Sequence, residues 1–400
     1  MTAQITRHEI PWGFKEIEYI ISQLLSPPGK EELSALEEET AAHVGAEFAV
    51  SVPTCSQGIE WSIDLLTKPG AKIGIPRFSH PELPRLVRRI HRIPFIVDAD
   101  PITRIITPER LEAVSGKVKL QAVVAAHLYG RPCDIHGLKQ AAPLVPIIGD
   151  GAHALGAGTK GNMVGGMEHA CSFSFRIGKP IVCDPGGIVT TNDKKLAMQL
   201  RERSGHVEMM SLHQALARIA SVLAHLAVLR SPFFPLLVMP FFRLLDRAVP
   251  GLSEKYWTGR LGFPLQRETN PVNLHPLLAG LARLQLQTLD RRTASQVANA
   301  RLIKARVTDF ENINLPSIDD GCSFLSFPVH CNQSFEAVRI LRSLGIDSRL
   351  DYITDLWAPD KDATIFFPPN HFRLSIPEVE RVAKALEILD DNLSKKSIYH

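Results

Sequence analysis

The sequence predicts an α/β protein, with a large domain on a mostly parallel seven-stranded sheet followed by a smaller α+β domain at its C-terminal end. Three observations carry this expectation. Seven short apolar runs alternate with helix-like stretches, the rhythm of strand and covering helix. Four hundred residues at 45% hydrophobic content are enough for a large core and a second, smaller one. Two charged residues, Asp150 and Lys179, close strand-like runs, and open α/β sheets hold their ligands at the carboxyl ends of strands.

The strand runs are Phe48 to Val52, Lys72 to Ile75, Phe95 to Val97, Ala122 to Ala125, Val145 to Ile148, Ala170 to Phe175 and Gly187 to Thr191. Between them, Gly58 to Leu66 and Pro81 to Ile90 repeat apolar residues at helical spacing. Past residue 270 the order changes. A long helical stretch from Pro276 to Val307 precedes a strand from Ser323 to His330, a helix from Ser334 to Leu344, a strand from Ile346 to Leu350 and a final helix from Pro377 to Leu393. This divides the chain into a large domain over 1–206, an apolar helical insert over 207–268 and an interdomain helix with the small domain over 269–400.

Charge and cysteine usage narrow the class. Forty-five basic against 42 acidic residues give a formal charge of +3, and no Lys/Arg run is interleaved with stacking aromatics, so nothing here calls for a nucleic-acid partner. The six cysteines form no CxxC pair and no disulfide framework, and no metal-ligand motif stands out. With no basic segment leading into an apolar stretch at the N-terminus, the expected compartment is the cytoplasm.

Asp150 lies in Ile147-Ile148-Gly149-Asp150-Gly151-Ala152-His153, and Lys179 ends Ser172-Phe173-Ser174-Phe175-Arg176-Ile177-Gly178-Lys179. A carboxylate there can hold a pyridine nitrogen protonated, and a lysine amine can form a Schiff base, the two charged groups that pyridoxal phosphate chemistry needs. Taken singly, Asp150 reads as a helix cap and Lys179 as a solvated loop residue. The surrounding strings change this. Asp98-Ala99-Asp100-Pro101, Ile106-Thr107-Pro108-Glu109-Arg110-Leu111, Ala126-His127-Leu128-Tyr129-Gly130, Gly149-Asp150-Gly151-Ala152-His153, Ser172-Phe173-Ser174-Phe175 and Gly186-Gly187-Ile188-Val189-Thr190-Thr191-Asn192-Asp193 follow one another in order. From about Val44 to Asp193 the chain thereby resembles the DegT/DnrJ/EryC1/StrS family of nucleotide-sugar aminotransferases.

The resemblance implies the type I fold of pyridoxal-phosphate-dependent transferases, with Lys179 and Asp150 as catalytic residues. It also implies a set of cofactor contacts. Where the family has Asn-Ser-Gly-Thr, this chain has Pro53-Thr54-Cys55-Ser56, so the amides of Cys55 and Ser56 and the Ser56 hydroxyl would bind the phosphate. His80 takes the place of the aromatic residue that covers the pyridine face, His153 lies near the phenolic oxygen, and Ser174 holds the phosphate. A homodimer is implied, in which a partner's Asn reaches the phosphate; Pro271 stands at that position, leaving Asn270 or Asn273 to substitute. Arg176 and Arg373 are the candidates for substrate anions, Arg373 for an α-carboxylate, and each has an ordinary surface or interdomain ion pair as its alternative.

The insert departs from the family pattern. Ile219 to Leu229 and Ser231 to Phe242 carry no charge and are separated by Arg230, while Pro232, Pro235 and Pro240 argue against a spanning helix. Leu216, Ile219, Ala220, Leu223 and Ala227 read as one apolar stripe. Two roles are open: a lid packed on its own domain or on a dimer partner, or a peripheral membrane contact with Arg218, Arg230, Arg243 and Arg247 at the headgroups. The functional expectation is amino transfer from an amino acid, glutamate first, to a keto acceptor such as a nucleotide-linked keto sugar. Its alternatives are a non-catalytic relative acting at a membrane, an enzyme taking a lipid-linked or apolar substrate, and use of the same cofactor for a decarboxylation or elimination.

Overall fold

Seven strands build the central sheet of the computed structural model, which describes residues 5–26, 28–159, 161–230, 244, 271–307, 310–358 and 364–397. Helices α1 (Phe14–Leu25) and α2 (Glu31–Val44) lead into β1 (Phe48–Val52), then α3 (Cys55–Leu66), β2 (Lys72–Pro76), the short β3 (Phe78–Ser79), α4 (Glu82–Arg89) and β4 (Ile93–Val97). They are followed by α5 (Pro108–Ser115), β5 (Leu120–Ala126), α6 (Ile135–Ala141), β6 (Ile147–Asp150), the small hairpin β7 (Gly158–Thr159) and β8 (Asn162–Met163), β9 (Ala170–Ser174), β10 (Gly187–Thr191) and α7 (Lys194–Gly205). The sheet order is β1-β10-β9-β6-β5-β2-β4. Strand β10 runs antiparallel to both its neighbours, and the remaining pairings are parallel. All of β9 and β10 is buried, because helices cover both faces, and this is why these strands read as continuous runs and not as alternating ones.

Local chemistry sets the helix starts. Thr54 Oγ1 accepts from the Gln57 amide at 3.1 Å, Thr107 caps a helix that opens on Pro108, and Asp193 Oδ1 accepts from the amides of Lys195 and Leu196.

After the insert, the stretch expected as one long helix is two, α9 (Pro276–Leu286) and α10 (Leu289–Arg306). Helix α9 is buried almost throughout and belongs to the core that holds Trp12, Phe173 and Phe175, whereas α10 shows charge to solvent on one side. A change of buried face at Gln287 and Thr288 accounts for the break. The small domain then adds β11 (Ile313–Asn314), β12 (Val329–Cys331), α11 (Ser334–Ser343), β13 (Arg349–Leu350), β14 (Thr354–Asp355), β15 (Ile365–Phe367) and α12 (Ile376–Ser397). Its antiparallel sheet has the order β11-β12-β15-β13.

Two expected strands are shorter than their patterns. Residues 323–328 stay outside the ladder because the Ser323 and Ser326 amides donate to Gly130 O and Tyr129 O, at 2.8 and 3.4 Å, in the large domain. At the start of the other, Ile346 bridges Ile5, and the Asp347 amide donates to Ile5 O at 2.9 Å. Strand β14 pairs with β3 across the domains, and Arg77 reinforces this with a 2.7 Å ion pair to Asp355. The small domain is therefore fastened over the carboxyl ends of the large sheet.

Within the insert, α8 (Leu212–Arg230) is described. Its buried residues are Ala215, Ile219, Val222 and Leu226, which join the core around Trp12, while Ala220 and Ala227 of the expected stripe are exposed. The buried face, at 215, 219, 222 and 226, is therefore rotated from the expected stripe while keeping its helical spacing. Arg230 pairs with Glu9 at 2.7 Å and donates to Trp12 O at 2.9 Å. Among the described residues no helix is long and apolar enough to cross a membrane. The proline- and phenylalanine-rich part of the insert, with Arg243 and Arg247, lies outside the described residues, as does Asn270.

Candidate active site

Helix geometry leaves the amides of a first turn without intrahelical acceptors. In α3 the Gln57 amide is taken by Thr54 Oγ1, so Cys55 and Ser56 present theirs at the carboxyl end of β1, with the positive end of the helix dipole behind them. Two contacts hold this end in place. Ser172 Oγ of β9 donates to Cys55 O at 2.9 Å, and the Cys55 thiol reaches Ser172 O at 3.2 Å. Gly187 of β10 permits the approach, since a Cβ there would stand 2.7 Å from Cys55 N. Cys55 is buried and its thiol is pushed up by burial and then by Asp150, so it is an inert wall residue, while Ser56 is exposed.

Asp150 is the last residue of β6 and is half-buried, its Oδ1 accepting from Ala152 N at 3.2 Å and lying 3.9 Å from Cys55 Sγ. Lys179 follows β9 in a turn closed by its own amide on Arg176 O at 3.1 Å, with Gly178 in the left-handed region at φ +83°. Its Nζ donates to Tyr352 Oη at 3.2 Å.

Tyr352 comes from the small domain and gathers the site. The His153 ring, 7% exposed, accepts from Tyr129 N at Nδ1 (3.2 Å), which leaves the Nε2 proton to donate to the same Tyr352 oxygen. Burial first, then Lys179 and Arg349, hold His153 well below the usual imidazole range, so it is neutral. His80 sits edge-on to Tyr352 at 6.1 Å and accepts from Glu82 N at 3.2 Å. It too is lowered by burial and by Lys179, with Asp150 opposing, so both charges act on this one ring. Behind His153, Tyr129 adopts a left-handed backbone (φ 63°) that aims its amide at His153 and its hydroxyl at Asp351, 2.5 Å away. Arg104 closes the buried group with a 3.0 Å ion pair to Asp351, whose carboxyl burial nonetheless pushes up.

Lys179, Asp150, Cys55, His80 and His153 thus share one neighbourhood. Ser174 is buried near the end of β9, its hydroxyl accepting weakly from Arg176 N at 3.5 Å. The other candidates have partners of their own. Arg176 is exposed and faces Asp184 at 3.5 Å. Arg373 faces Glu9 at 3.9 Å and Trp12 O at 3.4 Å, the interdomain contact that was its alternative reading. Asn273 spends both amide hydrogens on Ser204 O and Val207 O, at 2.6 and 3.2 Å, so in this arrangement it braces its own chain and has no donor left for a phosphate.

Sequence reasoning missed Tyr352, Asp351, Arg349 and Arg104. No local pattern marks Tyr352, Asp351 or Arg104, because their contacts span more than 170 residues of chain, and Arg349 lies in no motif that would single it out. Tyr129 was within reach, in the His127-Leu128-Tyr129-Gly130 string. Its His127 neighbour forms a separate buried group with Glu168 and Cys171. There Cys133 N donates to His127 Nδ1 at 3.0 Å, which sets the Nε2 proton against Glu168 Oε1, also 3.0 Å away, a buried contact between an imidazole N–H and a carboxylate.

An amine, a strand-end carboxylate, two open helix amides and two neutral imidazoles fit a phosphorylated pyridine aldehyde. Comparison with known proteins points the same way. The model of the DegT/DnrJ/EryC1/StrS aminotransferase family matches residues 17–219. The 3-amino-5-hydroxybenzoate synthase of Amycolatopsis mediterranei is 30% identical over 169 residues, 41% of this chain and 43% of that protein, so the match spans less than half the length of this curated relative. Among solved structures, DesV of S. venezuelae, captured with a ketimine intermediate, superposes with a TM-score of 0.73 at 21% identity, covering 97% of this chain and 99% of DesV. Helicobacter pylori PseC, an aminotransferase of pseudoaminic acid biosynthesis, gives 0.73 at 16% identity, covering 97% and 100%. At these identities the structural likeness establishes the fold.

Proposed function

This chain belongs to the DegT/DnrJ/EryC1/StrS aminotransferase family, and we propose that it is a pyridoxal-phosphate-dependent aminotransferase whose cofactor is carried by Lys179. The observation that carries the reading is that Lys179 Nζ and His153 meet at the Tyr352 hydroxyl while Asp150, at the end of β6, lies 3.9 Å from Cys55 Sγ at the open start of α3. When bound, pyridoxal phosphate supplies an electron sink that stabilises negative charge at a carbon attached to the substrate nitrogen.

The chain's residues supply the rest. The Cys55 and Ser56 amides, with the dipole of α3, hold the phosphate. Asp150 keeps a proton on the ring nitrogen. Neutral His153 and His80 flank the ring without adding charge. Lys179 Nζ, once released by the incoming amino donor, takes the proton from the donor's α-carbon, and Tyr352 Oη holds that amine in position. The small domain, fastened by β14 to β3, covers the site and limits water.

Glutamate is the amino donor in this reading, and the acceptor is a small keto compound. A nucleotide-linked keto sugar is the form that kinship with sugar aminotransferases supports. A homodimer would complete the phosphate site, its partner asparagine being drawn from the segment before Val272. The non-catalytic alternative rests on Pro53, Cys55 and Pro271 at expected phosphate positions; of these, Cys55 uses its thiol in packing and leaves its amide available.

The deciding experiment is the visible spectrum of the purified protein with added pyridoxal phosphate. A band near ~420 nm that borohydride fixes to Lys179, and that glutamate shifts toward ~330 nm, is expected of a lysine-linked cofactor entering amino transfer. Absence of the band at saturating cofactor would remove the enzyme reading, and a band that persists in Lys179→Ala would remove the role of Lys179.

A further inference from the structure

Arg349 opens β13 and lies over two aromatic faces, with its guanidinium carbon 5.2 Å from the Tyr352 ring centre and 5.0 Å from that of Phe367. Tyr352 is the residue whose hydroxyl takes the Lys179 hydrogen bond, so Arg349 stands one side chain away from the reacting amine. Its hydrogen-bond partner is the Ser326 hydroxyl at 3.3 Å, and among the described residues no carboxylate makes an ion pair with it. The arginines nominated from sequence differ in this respect, since Arg176 faces Asp184 and Arg373 faces Glu9. The Arg349 charge also reaches His153 and His8, holding both imidazoles toward their neutral forms. The half-buried guanidinium has given up part of its hydration, and the carboxylate it acts on, Asp351, is already in a 3.0 Å ion pair with Arg104.

Tyr352 and Phe367 support the guanidinium, whose side-chain acceptor among the described residues is a neutral hydroxyl, Ser326 Oγ, leaving it donors for two parallel hydrogen bonds to an incoming anion. This is the geometry that matches a planar carboxylate. We propose that Arg349 anchors a carboxylate of the substrate that reacts at Lys179. The proposal rests on the aminotransferase reading above and adds a substrate class to it: at least one of the two substrates presents a carboxylate to the small domain. That carboxylate has two possible sources, the α-carboxylate of the amino donor or one carried by the keto acceptor.

The test compares the wild type with Arg349→Met and Arg349→Lys, each first checked for an unchanged melting temperature and cofactor band. In the donor arm, single-turnover reaction with L-glutamate is followed by loss of the ~420 nm band. In the acceptor arm, calorimetric binding of 3-hydroxybenzoate is compared with that of its neutral analogue 3-hydroxybenzamide. Loss of a charged hydrogen-bonding partner predicts about 10- to 100-fold weaker half-saturation in one arm for Arg349→Met, with partial recovery in Arg349→Lys. A loss confined to glutamate assigns the donor's carboxylate, and a loss confined to 3-hydroxybenzoate, with 3-hydroxybenzamide unmoved, assigns the acceptor's. Equal behaviour of wild type and Arg349→Met in both arms overturns the proposal, as does a parallel loss of the benzoate and the benzamide. The binding arm requires no bound cofactor. A wild type that never forms the band would therefore end the aminotransferase reading while the carboxylate anchor is still decided.

Discussion

Lys179 Nζ and Tyr352 Oη meet at 3.2 Å across the domain boundary, so the environment of the proposed catalytic amine depends on where the small domain sits. The same oxygen takes the Nε2 proton of His153, and the phenol is therefore a shared acceptor holding two side chains of the large domain in register. Tyr352→Phe keeps the ring that supports Arg349 and removes only this acceptor. Cofactor loading should persist, and the glutamate half-reaction should slow by roughly 10²-fold, the scale of a misplaced proton-transfer group. Stopped-flow absorbance measures this directly, and an unchanged rate would make the hydroxyl a bystander.

Asp351 is 1% exposed at its side chain and accepts from Arg104 and from the Tyr129 hydroxyl. Replacing it with Ala leaves the Arg104 guanidinium buried with Thr364 Oγ1 and Phe78 as its remaining partners. Breaking one half of a buried pair costs about 3–5 kcal/mol, and denaturant titration of Asp351→Ala should show a loss of that size. Asp351→Asn preserves shape and a polar oxygen, so its loss should be smaller. Tyr129→Phe, which removes one hydrogen bond to that carboxylate and leaves its ion pair with Arg104, should cost about 1.5–3 kcal/mol.

Acid should loosen the contact between the N-terminal segment and α8. His8 Nε2 lies 3.3 Å from His225 Nε2 with the rings stacked, and both imidazoles are neutral in the fold. Burial, then the charge of His225, then Arg7 and Arg349 lower His8 from 6.5 to about 3, with Asp347 opposing. Burial also lowers His225, against Asp184. The unfolded chain therefore binds more protons than the folded one from about pH 6.5 down to about pH 3, and stability falls as pH drops through that window. Denaturation midpoints between pH 7 and pH 4 should decline more steeply in the wild type than in His225→Leu. Parallel slopes would show that the pair is not what acid attacks.

Short-range information made the large domain legible. The strand runs were readable because both faces of the parallel sheet are covered, which turns buried strands into unbroken apolar strings, as in β9 and β10. Lys179 and Asp150 were readable because the strings around them are local. The small domain was read less well, since the amides of Ser323 and Ser326 take acceptors in the large domain that no periodicity reveals. Tyr352 was missed for the same reason, since a residue whose partners are distant in sequence looks like any other Tyr, while Arg349, with Ser326, Tyr352 and Phe367 near it in the chain, sits in no motif that marks it. Asn273 was likewise placed by its string alone, and the bonds it makes within its own chain, to Ser204 O and Val207 O, carry no local signal either.

Gly187 offers a test of the phosphate end of the site that separates binding from folding. A Cβ at this position would lie 2.7 Å from Cys55 N, 2.8 Å from Thr54 C and 2.9 Å from Phe173 O. All three are backbone atoms that cannot rotate aside. Gly187→Ala must therefore push the start of α3 away from β10, at an overpacking cost of about 1–3 kcal/mol. Gly70 supplies the comparison: at φ +79° with nothing within 4 Å of an added Cβ, Gly70→Ala should lose about 1–2 kcal/mol through backbone strain alone. If the amides of Cys55 and Ser56 hold the phosphate, pyridoxal phosphate affinity should drop in Gly187→Ala by about 10-fold or more, the worth of one good hydrogen bond to a charged group. Gly70→Ala should bind the cofactor as the wild type does. Equal affinities in the two variants would place the phosphate elsewhere, because only Gly187→Ala displaces the end of α3.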